Sequence, residues 1–270
     1  MLRVAVLVVA SFAFACGTPG SASDAGEELD AGVTDSGVVD AGVLDAGSTD
    51  SGAPDAGTPD AGTPDAGTPD SGMQPPHWGW AKSTISLGAH SATVTANGAS
   101  RLPVAGFTTV SGLTYDFIFD PSAIYELTNP TQPDDQLDWN KLPGLSDCGQ
   151  LDLAQDGLMF AWRWRLDLQP RVLEIAHYAN NGGTHLYPAN GIITLDEDDL
   201  RAESPLRYEL TITATEYRFH ITGEIRGRMI DVSATHPRRC TSSTTAFKWA
   251  GGFYFGGTST APHVITGWAQ

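Results

Sequence analysis

The sequence predicts an all-β fold, an antiparallel β-sandwich of jelly-roll type preceded by a disordered low-complexity linker, and three observations carry that prediction. Residues 158–168 alternate without a break, with Leu158, Phe160, Trp162, Trp164, Leu166 and Leu168 set against Met159, Ala161, Arg163, Arg165 and Asp167. A period of two over this length fits a pleated strand with one face in a core and would scatter the large side chains around a helix. No later segment keeps an amphipathic helical period over twelve residues. Short alternating runs joined by Gly, Pro and Asn turns fill the rest of the chain, as in sandwiches, with a closed barrel as the alternative.

The elements follow in chain order. Residues 1–15 hold one base, Arg3, then an uncharged apolar run from Val4 to Ala15. That run is far short of the roughly 20 residues that cross a bilayer, so it reads as a secretory signal peptide. Residues 16–72 form the linker, in which an aspartate falls at every fifth position from Asp30 to Asp70. With no aromatic and few branched side chains to offset ordering entropy, and with regular self-repelling charge, such a segment is a tether. A five-residue period does not converge carboxylates as a calcium loop does.

The domain spans residues 73–270 and is long enough for one sizeable core. Residues 83–87 and 91–96, rich in small side chains, suit edge strands. Residues 113–120 alternate Leu113, Tyr115, Phe117 and Phe119 against Thr114, Asp116 and Ile118, and stop at Pro121. Residues 158–168 and 172–178 form an antiparallel hairpin across a three-residue connection, and Asn180-Asn181-Gly182-Gly183 is the next turn. Leu206, Tyr208, Leu210 and Ile212 mark another strand, and Tyr217, Phe219 and Ile221 the one after it. Residues 228–233, 246–255 and 264–268 complete the set. Gly251-Gly252 and Gly256-Gly257 mark bulges or close backbone approach.

The formal charge of the whole chain is −17, but 12 of its 32 acidic residues precede residue 73. The domain holds the other 20 against 14 Lys and Arg, a net of −6. Without clustered positive charge, nucleic-acid binding is excluded as the expected function. Three cysteines leave one to explain in an exported chain. If Cys16 is acylated, Cys148 and Cys240 remain as a disulfide pair in an oxidising compartment. Two buried free thiols are the alternative.

Cys16 resembles the lipidated cysteine of bacterial lipoproteins, since it follows a short apolar run between Ala15 and Gly17. The resemblance implies a lipid-membrane partner through acylated Cys16, and Gly17, in place of an acidic residue, implies the outer membrane. Ala13 and Phe14 depart from the usual lipoprotein signal, and Ala13-Phe14-Ala15 also fits ordinary secretory cleavage, with a soluble secreted product. Three domain clusters, Asp138-Trp139-Asn140-Lys141-Leu142-Pro143-Gly144-Leu145-Ser146, Phe160-Ala161-Trp162-Arg163-Trp164 and Phe253-Tyr254-Phe255-Gly256-Gly257 with Ala261-Pro262-His263, resemble a group of exported bacterial β-sandwich proteins without an assigned activity. That resemblance covers about residues 107–268 and implies the fold only. One alginate-lyase family of this architecture carries a Tyr-Phe-Lys-x-Gly strand. Here Tyr254-Phe255-Gly256-Gly257 lacks the lysine and no Gln-Ile-His segment occurs.

Candidate chemistry falls into three groups. A polysaccharide lyase needs a base beside the uronate carboxylate and a cation for the enolate, which makes Arg163, Arg165, His177 and Tyr254 the catalytic candidates. Glu174 and His177 differ by three, so only one of them shares the arginine face. A cross-strand Arg–Glu pair is the plainer expectation. For ligand binding, Trp139, Asn140 and Lys141 combine a stacking face with hydrogen-bonding side chains, unless Trp139 plugs the sandwich. Trp78, Trp80 and Tyr187 are further aromatic candidates. No metal site is expected: His220 and Glu224 share a face, but a third ligand among His177, His185 and His263 is unplaced. No cofactor is implied beyond a structural calcium at Asp196-Glu197-Asp198-Asp199, where a solvated loop is the alternative. Expected function is therefore an envelope lipoprotein whose module binds a glycan or another extracellular ligand. A polysaccharide lyase-like enzyme and an adhesive or structural protein are the alternatives.

Overall fold

The computed structural model describes residues 76–186 and 190–270. The expected signal peptide, Cys16, the tether and Tyr187 lie outside the described residues. Strands run β1 (Trp80–Ile85), β2 (Ala92–Asn97), β3 (Gly106–Thr108), β4 (Gly112–Phe119), β5 (Asn140–Ser146), β6 (Asp156–Arg165) and β7 (Val172–Asn181). They continue as β8 (Thr184–Leu186), β9 (Ile193–Leu195), β10 (Leu206–Ile212), β11 (Glu216–Ile225), β12 (Arg228–Pro237), β13 (Lys248–Gly251) and β14 (Ile265–Ala269), with one short helix, α1 (Glu197–Arg201), between β9 and β10.

Among the described residues these strands form two antiparallel sheets, ordered β12-β11-β10-β4-β14-β1-β2 and β3-β13-β5-β6-β7-β8, with β9 also paired to β7. The chain passes repeatedly from one sheet to the other, as a jelly-roll sandwich does. The alternation in β6 decides its orientation. Leu158, Phe160, Trp162 and Trp164 are fully buried and face Phe119, Tyr208, Phe219 and Phe253. Aromatic pairs at 5–6 Å fill this core with tilted and edge-to-face contacts, the arrangement their quadrupoles favour.

Three stretches differ from expectation. Residues 140–146, which the alternation does not mark as a strand, form β5. Pro143, unable to donate to a ladder, sits where the β5–β6 register shifts between Lys141 and Gly144. The run 246–255 is broken: β13 ends at Gly251, and Tyr254 then pairs alone with Lys141 and Ser91. The acidic run 196–199 starts α1, where Asp196 and Asp199 form a reciprocal capping box.

Cys148 and Cys240 are joined, with Cα atoms 5.6 Å apart. Beside them the buried Arg238 guanidinium donates to Asp147. Asp147 and the two sulfurs lie close together, but both sulfurs are committed to the disulfide and offer no thiolate to a metal.

Candidate functional site

The outer face of the second sheet collects the polar and aromatic groups. Residues directly opposite in an antiparallel pair share a face, so the register lays out its rows. One row reads Tyr254, Lys141, Ala161, Ala176. The next reads Gly144, Met159, Tyr178, and beyond it come Ser146, Gly157, Asn180 and His185. Small side chains along the middle let the larger ones at either side meet over them.

Lys141 is the hub. Its ammonium lies 4.4 Å from the centre of the Tyr178 ring, a cation–π distance, and donates to the Trp139 carbonyl. The Tyr178 hydroxyl is 3.0 Å from Nδ1 of His185, which also meets Oδ1 of Asn180, while the Asn180 amide donates to the Leu153 carbonyl. Partial burial and the nearby Lys141 charge hold the His185 imidazole below its ordinary pKa, which favours the neutral ring. On the other side Tyr254 stacks on His90 at 5.4 Å, and His90 Nδ1 donates to the Phe255 carbonyl.

A fourth row holds Arg163 opposite Glu174. Arg163 donates to Glu174 at 2.7 Å and to the Leu137 carbonyl at 2.8 Å, and Arg165 reaches Glu174 at 2.9 Å and Asp167 as well. The cross-strand Arg–Glu pair is what the structure contains. Both guanidiniums are committed to carboxylates, and Asp167 is pulled down to about 2, chiefly by its hydrogen bond from Arg165.

The proposed catalytic set is thereby divided. His177 faces inward, 4.9 Å from the His236 ring and 5.6 Å from Phe219, on the opposite side of the sheet from Arg163 and Arg165. Strand alternation separates it from Glu174, and burial, reinforced by His236, pushes its pKa down to about 4. Tyr254 does share the outer face with Lys141.

The ligand trio is divided too. Trp139 is 8% exposed, packed on Met159, Ala161 and Tyr178, and the Arg163 guanidinium covers its ring at 4.0 Å. It is a buried plug on the outer face with no free stacking surface. Asn140 is buried, donating to the Tyr125 hydroxyl and accepting from the Gly256 amide. Gly256 is required there, because a side chain would strike the Trp139 carbonyl. The loop before Trp139 is fastened by buried Asp135, which accepts from Thr258 and Ser259.

The remaining candidates scatter. His220 lies between Glu209 and Asp231, at 3.0 and 2.9 Å, on the outer face of the first sheet. His263 meets the Ser122 carbonyl. The acidic run expected to suit calcium is met by arginines instead: Arg228 bonds Asp199 at 2.7 Å, and Arg226 approaches Asp196, Asp198 and Asp199. Trp80 begins β1, and Trp78 lies over Gly98.

Sequence reasoning missed Tyr178, Asn180 and His90, and held His185 only as an unplaced ligand. A signal existed for two of them. Tyr178 and Asn180 alternate with inward His177 and Ala179, and a Gly-Gly turn after Asn181 folds His185 back beside Asn180.

No family model matches the chain, and no curated protein does. Among solved structures it is similar to porphyranase B from Zobellia galactanivorans, at 9% identity over 70% of this chain and 73% of that one, with a TM-score of 0.27. It is also similar to the kappa-carrageenase from Pseudoalteromonas carrageenovora in complex with an oligotetrasaccharide of kappa-carrageenan, at 11% identity over 70% and 78%, with a TM-score of 0.25. Likeness at that level fixes neither a substrate nor a mechanism for this chain.

Proposed function

We propose that the protein is an exported envelope lipoprotein, anchored through acylated Cys16, whose sandwich binds a polysaccharide on the outer face of the second sheet. The observation that carries the binding assignment is the gathering of Tyr254, Lys141 and His185 in neighbouring register on one face, above the buried Tyr178 ring. The Tyr254 ring suits a sugar face, and an ammonium with an imidazole suits sugar hydroxyls or an acidic substituent. The full-length chain is run through gels containing alginate, polygalacturonate, kappa-carrageenan or dextran. Retardation by an acidic polymer is expected, and Lys141→Ala weakens it about tenfold through loss of one charge-assisted contact. Migration unchanged by every polymer overturns the assignment.

A second reading, polysaccharide lyase-like cleavage, is favoured by the Tyr178–His185 hydrogen bond, which pairs a phenol with a neutral imidazole near a cation. Its signature is new ultraviolet absorbance from unsaturated uronate ends that Tyr178→Phe abolishes. Binding without such a product excludes it for that polymer.

A further inference from the structure

The far edge of the same sheet carries exposed aromatic side chains. Phe107 and Phe247 are 59% and 56% exposed, with rings 4.9 Å apart and 19° from parallel, and Trp249 meets Phe107 edge-on at 5.1 Å. Phe107 pairs directly with Trp249, and Trp249 packs against the cluster of Trp139, Met159 and Tyr178. These rings therefore share the face that carries Lys141 and Tyr178. Such large rings left to water normally mark a contact surface.

The surroundings point to a sugar. The segment entering β13 exposes Ser243 and Thr245 in alternation with Phe247, and residues 240–247 contain no charged side chain. An apolar ring face rimmed by hydroxyls complements a pyranose, which offers C–H groups on its face and hydroxyls at its edge. That segment lacks the charged groups that fix register in protein partners. Leu153, held in the same cluster and accepting from Asn180 through its carbonyl, stands between the edge and the Tyr178–His185 pair. The two contacts are separate points on one face.

We propose that Phe107, Phe247 and Trp249 form a second contact for the same polysaccharide chain, so that the ligand is a stretch of several sugar units lying across the sheet. This rests on the polysaccharide assignment above. From β3 to β7 there are four strand spacings, about 19 Å, too far for a single sugar ring to bridge. Two linked contacts raise affinity for a chain long enough to reach both and leave a short ligand unaffected.

The test uses the full-length chain with whichever polymer retards it, and with the disaccharide of that polymer. The Phe107→Ala, Phe247→Ala double variant is expected to weaken polymer binding about tenfold and to leave disaccharide binding unchanged. Lys141→Ala weakens both. Phe247→Tyr, which keeps a ring, binds the polymer like the parent, and unchanged thermal melting shows that each variant is folded. Parent-like polymer binding by the double variant overturns the second contact while leaving the first assignment standing. Equal loss for disaccharide and polymer overturns it as well. A parent dimer in sedimentation that the double variant dissolves makes the occupant a second copy of this chain, against the proposal. Failure of every polymer to retard the parent removes the assignment beneath it and the proposal together.

Discussion

Glu174 and His177 sit three residues apart on β7 and lead opposite lives. Glu174 accepts from two arginines on the outer face, so removing it leaves Arg163 and Arg165 partly buried beside each other. Glu174→Ala should lower unfolding stability by about 3 kcal/mol, the lower range for stripping one partner from a buried ion pair, as read from urea midpoints. His177 is buried neutral, with its folded pKa near 4 against an ordinary 6.5. The unfolded chain therefore binds this proton more readily than the folded one. The contribution is complete above about pH 6.5 and is lost as pH falls toward 4, about 3 kcal/mol over that window. Burial lowers His236 as well, in the same direction. Urea midpoints measured from pH 7 to 4 should fall, and less steeply in His177→Phe. Alternation alone told that these two residues face opposite ways. It could not tell that Trp139 is covered by Arg163, because that depends on how the loop of residues 120–138 is fastened by Asp135 to Thr258 and Ser259.

Among the elements, strands with an alternating apolar face were legible: β10 and β11 alternate buried and more open side chains, whereas β6 and β7 are buried at nearly every position, their outer-face residues forming a second packed cluster. β5 was not legible. Its outward positions include one glycine held there by clearance: a Cβ on Gly144 would lie 2.5 Å from the Leu158 carbonyl and the Met159 side chain. Gly144→Val should therefore push β5 off β6 and expose the Tyr178 face, visible as lost amide-exchange protection in both strands. The disulfide was legible from cysteine count. It closes a loop with a sequence separation of 92, and loop-closure entropy gives it about 4 to 5 kcal/mol. Cys148→Ser with Cys240→Ser should lower the urea midpoint accordingly. A much smaller loss would show that the unfolded chain keeps the two ends near each other without the bond.

At the scale of the whole molecule, sequence pattern yields the layer architecture, whereas the candidate site depends on strand order and register that only the fold supplies. Tyr254, Lys141, Tyr178 and His185 come from four separate segments. Acylation at Cys16 predicts that the native chain partitions with membranes and that Cys16→Ser releases it to the soluble fraction, followed by fractionation and detergent phase separation. For a module held from the segment ahead of β1, the disulfide acquires a mechanical meaning. The chain enters through β1, zipped between β2 and β14 in the first sheet, while a ligand grips the second. Tension between surface and polymer must then cross from sheet to sheet. Cys148 follows a strand of the second sheet and Cys240 one of the first, so the crossing has a covalent tie, and under a pull the reduced protein should part at lower force than the oxidised one.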